Sequence, residues 1–352
     1  MGCCCKKTNK NDINTPLIPK EESPIQETDF EKLKLLGKGS FGKVYLVRQK
    51  NTKNLFAMKI LSKEYLKEKN EQEHTKTERK LLSQLNNPFI INLYYAFQNE
   101  KYLFLISDFI QGGDLFFHLR RERFFSNEKS QFYICELILA LEYLHKKNMI
   151  YRDLKPENIL IDKTGHIKLT DFGLSKILDK KKKNLTICGT PQYVAPEVFE
   201  GKYDKCVDWW SLGCLLYEFL SGKVLFRFSD TIDLNIYKKP IQMPNNFTNE
   251  AKLFLNDILV VNPNKRLGYG KNGIENIKKH IYFKNINWDD VFNKKIEPPF
   301  IPMLNNDEDL RYFDKEFTEE SILDTNNNDS HNENYTYYNE FTYYNTNALE
   351  IG

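Results

Sequence analysis

The stretch Tyr151-Arg152-Asp153-Leu154-Lys155-Pro156-Glu157-Asn158 leads into two short β-prone runs, Ile159-Leu160-Ile161 and His166-Ile167-Lys168-Leu169, and then into Asp171-Phe172-Gly173. The runs are joined by Asp162-Lys163-Thr164-Gly165, a turn composition that predicts a hairpin. A hairpin brings the chain back to its starting end, so Asn158 and Asp171 are expected side by side. An amide oxygen and a carboxylate converging on one spot suit a hard cation, and a divalent ion bridging phosphates is the usual occupant. Asp153 lies close by, with a carboxylate that no metal need occupy; it can orient a hydroxyl nucleophile and accept its proton.

This block resembles the catalytic loop and Mg²⁺-binding motif of eukaryotic protein kinases. The resemblance implies that Asp153 is the catalytic base, that Lys155 contacts the transferring phosphate, and that Asn158 and Asp171 hold the metal. Tyr151 stands where the motif usually has His, a substitution typical of the AGC group. Glu73-His74-Thr75, Phe124-Phe125-Ser126 and Asp208-Trp209-Trp210 point the same way, and the pattern is most similar to protein kinase B and its near relatives.

Other segments fit in order. Leu36-Gly37-Lys38-Gly39-Ser40-Phe41-Gly42-Lys43-Val44 is a glycine loop, whose backbone amides could approach phosphate oxygens. Alone, such a loop could also be a bare hairpin turn or a dinucleotide-binding loop. A dinucleotide loop expects a helix next, whereas Val44-Tyr45-Leu46-Val47 reads as a strand. Phe56-Ala57-Met58-Lys59-Ile60 is a second strand with one Lys, and the resemblance gives Lys59 to the α/β-phosphates. A helix is predicted from about Gln72 to Leu85, with Glu78 on the face of Leu81, Leu82 and Leu85. On pattern alone Glu78 could be the edge of an amphipathic stripe, but with Lys59 upstream a Lys59–Glu78 pair is favoured, since a carboxylate among leucines is costly unless paired. By resemblance, ATP is held by Leu36 to Val44, by Ala57, Lys59, Ser107, Asp108 and Leu160, and by Phe313 from the tail. Glu78 joins Asp153, Lys155 and Lys59 in the catalytic set.

The resemblance implies an α+β, bilobal kinase fold with a β-rich N-terminal lobe, a helical C-terminal lobe and an AGC tail. The divisions expected are a flexible, acylated arm over 1–28, a kinase domain over 29–282 (lobes about 29–108 and 109–282), and a tail over 283–352. Glu197 is expected to pair with Arg266, and Asp208 to Leu220, apolar nearly all round, to form a buried helix too short to span a membrane. Thr186 matches the activation-loop phosphosite, its phosphate gripped by Arg152, His74 and Lys176. Lys180 to Lys183 just upstream read as a solvated run, with a weaker option that they aid the phosphate or meet a membrane. Tyr338-Asn339-Glu340-Phe341-Thr342-Tyr343 resembles the hydrophobic motif with Thr342 as phosphosite, docking beside the Glu78 helix, although this Asn- and Tyr-rich segment offers other registers. Thr325 is the candidate turn-motif site. Asp114, Glu157 and Glu218 match positions that read arginines upstream of the target residue. Ser107 falls at the gatekeeper position and leaves a small pocket behind the adenine. Leu225-Phe226 replaces the usual Pro-Phe, with only local effect.

Net charge is +3, with basic residues interspersed among acids, so nucleic-acid binding has no global support and none is expected. The seven cysteines form no metal-like pair and no signal peptide is visible, which fits a reducing cytosol. Met1-Gly2-Cys3-Cys4-Cys5-Lys6-Lys7 offers Gly2 for myristoylation and Cys3, Cys4 and Cys5 for palmitoylation, although Lys6 stands where the acylation pattern wants Ser or Thr. Two acyl chains with nearby lysines would hold the cytoplasmic face of a membrane; the alternative is an unmodified arm. The expected activity is ATP- and Mg²⁺-dependent phosphorylation of Ser/Thr in basic protein sequences. The expected partners are such substrates, a phosphoinositide-dependent-kinase-like activator and a membrane, the protein itself being a monomer. A pseudokinase scaffold is the alternative, but it predicts loss of Lys59, Asp153, Asn158 or Asp171, and all four are present.

Overall fold

A computed structural model describes residues 24–39, 42–178, 185–228, 233–321 and 337–345. Gly2, Cys3, Cys4, Cys5, Ser40, Phe41, Thr325 and the Lys180 to Lys183 run lie outside the described residues. The N-terminal lobe begins with three antiparallel strands, β1 (Phe30–Gly39), β2 (Gly42–Gln49) and β3 (Leu55–Ser62). Helices α1 (Lys63–Glu68) and α2 (Gln72–Leu82) follow, then β4 (Leu93–Gln98) and β5 (Tyr102–Asp108). The C-terminal lobe carries α3 (Leu115–Glu122), α4 (Asn127–Lys146), β6 (Met149–Ile150), β7 (Ile159–Ile161), β8 (Ile167–Leu169), β9 (Lys176–Ile177) and α5 (Cys206–Ser221). It continues with α6 (Asn249–Ile258), α7 (Gly273–Lys278) and α8 (Trp288–Phe292). The tail adds α9 (Lys315–Thr318) and β10 (Tyr343–Tyr344). The main sheet runs β1-β2-β3-β5-β4-β10, so the tail supplies its last strand.

Local chemistry sets the ends of these elements. Ser62, Asp114, Ser126 and Thr248 cap α1, α3, α4 and α6 by accepting from a backbone N–H three residues on. Each such cap contributes about 1 kcal/mol. α5 ends at Gly222, whose φ of +69° suits glycine; a Cβ there would sit 1.8 Å from the Arg123 carbonyl oxygen. α2 stops at Leu82, three residues short of the expectation. Its last carbonyls are taken by tight turns, Gln84 N to Leu81 O and Leu85 N to Leu82 O. Leu85 stays buried all the same, so the apolar face outlasts the helix.

The core does not divide at the lobe boundary. One buried cluster joins Leu81, Leu82, Leu93 and Leu105 of the upper lobe to Tyr151, Leu154, Ile159, Leu169 and Phe172 below, and on to Trp209 and Trp210 of α5. A smaller cluster of Phe30, Phe56, Met58, Tyr95, Phe97 and Phe104 covers the other face of the sheet. α5 is buried almost all round, as its composition demands. Phe226 of the Leu225-Phe226 pair stacks on Trp210 at 5.6 Å. Among the described residues no helix is long and apolar enough to cross a membrane.

Candidate active site

The loop after β6 is held from below by Asp208, a fully buried carboxylate in the first turn of α5. It accepts from the backbone of Tyr151 (3.0 Å) and Arg152 (2.9 Å) and binds the His145 ring at 2.8 Å. Those bonds hold Arg152 at a φ of +72°, outside the ordinary range for a side chain with a Cβ. The strained turn aims Asp153 out of the loop. Its carboxylate accepts from the Thr190 hydroxyl (2.7 Å) and Asn158 Nδ2 (2.9 Å) and pairs with Lys155 Nζ (2.8 Å). Lys155 also donates to Thr190 Oγ1 at 3.2 Å. Three donors therefore fix a buried acceptor at the place where a hydroxyl could be received and deprotonated.

β7 and β8 form the expected hairpin, with Ile159 opposite Leu169 and Thr170 N donating to the Asn158 carbonyl at 3.0 Å. Asn158 and Asp171 thus meet at one end. Opposite them, Lys59 on β3 reaches Glu78 on α2 at 2.8 and 3.1 Å, and Asp171 at 3.8 Å. Glu78 is buried, so this is the paired alternative rather than the stripe edge. Burial works against the charge on Lys59, but Glu78 and Asp171 outweigh it and hold the ammonium above its ordinary range. Lys59, aided by the backbone of Gly173, holds the Asp171 carboxyl below the usual carboxylate range. Burial raises the Glu78 carboxyl, with Lys59 opposing that rise, so the trio sets two acidic side chains around one ammonium.

Around it stand the residues expected to hold a nucleotide. Leu36 to Gly39 and Gly42 to Val44 form the β1–β2 hairpin, and Gly42 lies so near β3 that a Cβ would meet the Ile60 carbonyl oxygen at 1.9 Å. Ala57 faces Ser107 across β3 and β5, and Leu160 lies on β7. Asp108 ends β5, and Phe313 of the tail stacks on the next residue, Phe109, at 6.0 Å.

The donor set also suits Mg²⁺. Asn158 Nδ2 is turned to Asp153 (2.9 Å to both its backbone O and Oδ2), which leaves the amide oxygen for a cation. Asp171 is anionic and half-exposed at the cleft. Among the described residues no cluster of three or more His, Cys, Asp or Glu could hold a metal. Two protein oxygens, completed by phosphate oxygens and water, are how Mg²⁺ is usually held.

The three acids proposed to read arginine also come together. Burial raises the Asp114 carboxyl, opposed by the Phe117 amide it caps and reinforced by Glu157. Burial pushes the Glu218 carboxyl up to about 6, opposed by the Tyr193 hydroxyl that donates to it at 2.5 Å and reinforced again by Glu157. Glu157 thus acts on both neighbours, and each lacks a basic partner among its strongest influences.

Thr186 is exposed on the segment leading to Gly189. Its carbonyl accepts from the Tyr203 hydroxyl at 2.6 Å, and Tyr203 accepts from Arg152 Nη1 at 3.0 Å. Tyr203 therefore relays Arg152 to the Thr186 backbone. His74, expected to grip a phosphate on Thr186, instead binds Glu71 at 2.5 Å, the acid one helical turn before it. In the tail, Tyr338 and Phe341 are buried between α2 and β4. Gln98 clamps the Tyr338 backbone in both directions (2.8 and 3.0 Å). Arg79 donates to the carbonyls of Phe341 (2.8 Å) and Thr342 (2.6 Å).

Sequence reasoning gave no role to Asp208, Tyr203, Gln98 or Arg79. Asp208 had a local signal, an acid in the first turn of a mostly apolar helix. The other three act through backbone contacts that no spacing encodes.

The match to known proteins agrees with this geometry. Residues 30–283 match the family described as protein kinase domain, and residues 304–343 the one described as protein kinase C terminal domain. Serine/threonine-protein kinase Sgk1-A of Xenopus laevis is 46% identical over 311 residues, 87% of this chain and 71% of that protein. Human Sgk1 is 46% identical over 87% of this chain and 72% of its own length. The RAC serine/threonine-protein kinase of Drosophila melanogaster is 47% identical over 298 residues, 84% of this chain but only 49% of that longer protein. With its two lobes, its charged cleft and its docked tail, the chain belongs to the protein kinase family and, within it, to the AGC group.

Proposed function

We propose that this chain is a Ser/Thr protein kinase that transfers the γ-phosphate of ATP to proteins bearing basic residues before the target hydroxyl. The observation that carries the reading is the pair of fixed charge sets facing one cleft: Asp153 with Lys155, Thr190 and Asn158 on one side, and Lys59 with Glu78 and Asp171 on the other. Asp153 receives the substrate hydroxyl in place of one of its present donors and takes its proton. Lys155 stays beside the transferring group as a positive charge. Lys59, held by Glu78, orients the nucleotide phosphates. Mg²⁺, held by Asn158 and Asp171, neutralises phosphate charge when bound. With little covalent chemistry to perform, positioning and charge carry the rate. Asp114, Glu157 and Glu218 supply carboxylates for guanidinium forks, which favours arginine over lysine in the substrate.

Activation follows from the same charges. A phosphate on Thr186 adds about −1.5 to −2 charges beside the Tyr203–Arg152 relay and draws Arg152 toward it. Thr342 lies where Arg79 already binds backbone, so a phosphate there meets a guanidinium in place. The activator is proposed to be a phosphoinositide-dependent-kinase-like enzyme. Gly2 and Cys3 to Cys5 are proposed to carry acyl groups that keep the kinase at the cytoplasmic face of a membrane. Gly2→Ala is expected to move the protein from the membrane fraction to the soluble one, and an unchanged distribution counts against acylation.

The main test is γ-phosphate transfer to a peptide with arginines three and five residues before a Ser, after treatment with an activating kinase. Asp153→Asn is expected to lower kcat by roughly 10²- to 10⁴-fold. Thr186→Ala is expected to lose most of the activation while keeping nucleotide binding. Full activity in Asp153→Asn would overturn the catalytic assignment.

A further inference from the structure

We infer that docking of the tail strand β10 sets nucleotide affinity through the Asp108 carboxylate, with Asn92 and Tyr94 as positioning residues. The inference rests on the ATP-binding reading of the cleft. The chain crosses from the upper to the lower lobe just after Asp108, the last residue of β5. The Asp108 side chain is fully engaged at that crossing. Oδ2 accepts from the backbone N (2.9 Å) and side-chain Nδ2 (3.0 Å) of Asn92, and Oδ1 accepts from the Tyr94 hydroxyl (2.8 Å). Lys168 Nζ lies 3.7 Å away, and Asp108 N donates to the Asn92 carbonyl at 3.2 Å. A carboxylate with three donors and a cation is a strong, directional anchor. It ties the crossing to the start of β4.

β4 is the strand the tail docks on. Tyr343 and Tyr344 pair with Ala96 and Tyr95. Beyond them, Asn345 N donates to the Tyr94 carbonyl at 2.9 Å and Asn345 Nδ2 to the Leu93 carbonyl at 3.3 Å. Tyr94 is thus bonded to the tail through its backbone and to the crossing through its side chain. The residues before Asn92 are tied to the Asp171 hairpin as well, by Ile91 N to the Leu169 carbonyl (3.0 Å) and Lys168 Nζ to the Ile90 carbonyl (3.2 Å). A second part of the tail meets the crossing where Phe313 stacks on Phe109. Without β10, β4 becomes an edge strand whose end frays more easily. Tyr94 and Asn92 then hold Asp108 less firmly, and a nucleotide must order the crossing when it binds. That ordering weakens affinity without touching the chemical step.

The experiment measures the Kd of a fluorescent ATP analogue, with KM for ATP and kcat, on the full chain. Tyr94→Phe deletes one donor to Asp108. Asn345→Pro deletes the bonds of Asn345 to Tyr94 and Leu93, and Asn345→Ala, which keeps the backbone donor, is the milder version. Each of the first two is expected to raise Kd about fivefold, with kcat at saturating ATP within about twofold of the parent. The double variant Tyr94→Phe/Asn345→Pro is expected to be no weaker than the worse single, because both act through one anchor. An unchanged Kd, a loss confined to kcat, or a double variant near the product of about 25-fold overturns the inference. Nucleotide binding is read directly, so an absence of phosphotransfer with intact binding would sink the proposed activity and leave this inference standing.

Discussion

Glu218 has its proton affinity set by where α5 buries it. Burial lifts its carboxyl to about 6, with Tyr193 opposing and Glu157 adding to the lift. Below that pH the group is neutral and its pull on a guanidinium is lost. KM for an arginine-bearing peptide is therefore expected to rise as pH falls from 7 to 5, while a peptide without arginines shows no matching rise. For folding the sign is reversed. The fold favours the neutral form, so this contribution is fully present below 4.5, the unperturbed value, and is lost as pH rises through about 6. Glu218→Gln should flatten both dependences. Parallel KM profiles for the two peptides between pH 5 and 7 would remove Glu218 from substrate recognition. At Arg152 a buried acid 56 positions away, Asp208, holds the backbone in a costly conformation, and the neighbouring Asp153 gains its aim from that.

At the scale of elements, α5 and the segment that ends in Glu197 depend on one buried ion pair. Arg266 meets Glu197 at 2.6 and 2.9 Å, donates to the carbonyls of Val260 and Cys206, and lies over the Trp210 ring at 5.0 Å. Both side chains are almost wholly removed from solvent. Breaking such a pair leaves an unpaired buried charge, so Arg266→Met is expected to destabilise the protein by about 3–5 kcal/mol, read by denaturant unfolding. A loss under about 1 kcal/mol would mean that Glu197 finds another partner or a proton. The helix bearing Glu78 shows the other kind of result. Its apolar spacing is visible in the sequence, but its end is not, because the turns after Leu82 keep Leu85 buried without a helix.

Across the whole molecule, the cleft lies where the sheet, the lower lobe and the tail meet. Ser107 stands on β5 opposite Ala57 of β3, so two small side chains lie together at the back of the proposed adenine site, with Leu93 of β4 on the far side of Ser107. Bulky purine-analogue inhibitors are expected to inhibit the unmodified enzyme, and Ser107→Met to weaken that inhibition at least tenfold while sparing ATP use. Equal inhibition of both forms would show that no usable pocket lies behind Ser107. The tail passes the crossing at Phe313 and, farther along, supplies the sixth strand of the sheet, so it touches both the adenine side of the cleft and the back of α2.

The order and spacing of Asp153, Asn158 and Asp171, the glycine hairpin, and the single Lys59 on its strand were legible in the sequence. They lie on short local elements whose turns and alternation fix their own geometry. The family followed from those residues together, as did the buried character of α5 and the tail motif. The tertiary structure alone decided which groups complete them. The Lys59–Glu78 pair, which the sequence already favoured, forms as packing of α2 on the sheet removes Glu78 from water. Asp208, Tyr203, Arg79 and Gln98 acquire their contacts from distant backbone, and His74 turns to Glu71. The anchoring of Asp108 to Asn92 and Tyr94 belongs to the same class. Such contacts depend on how separate elements pack, and a spacing along one chain segment carries no record of it.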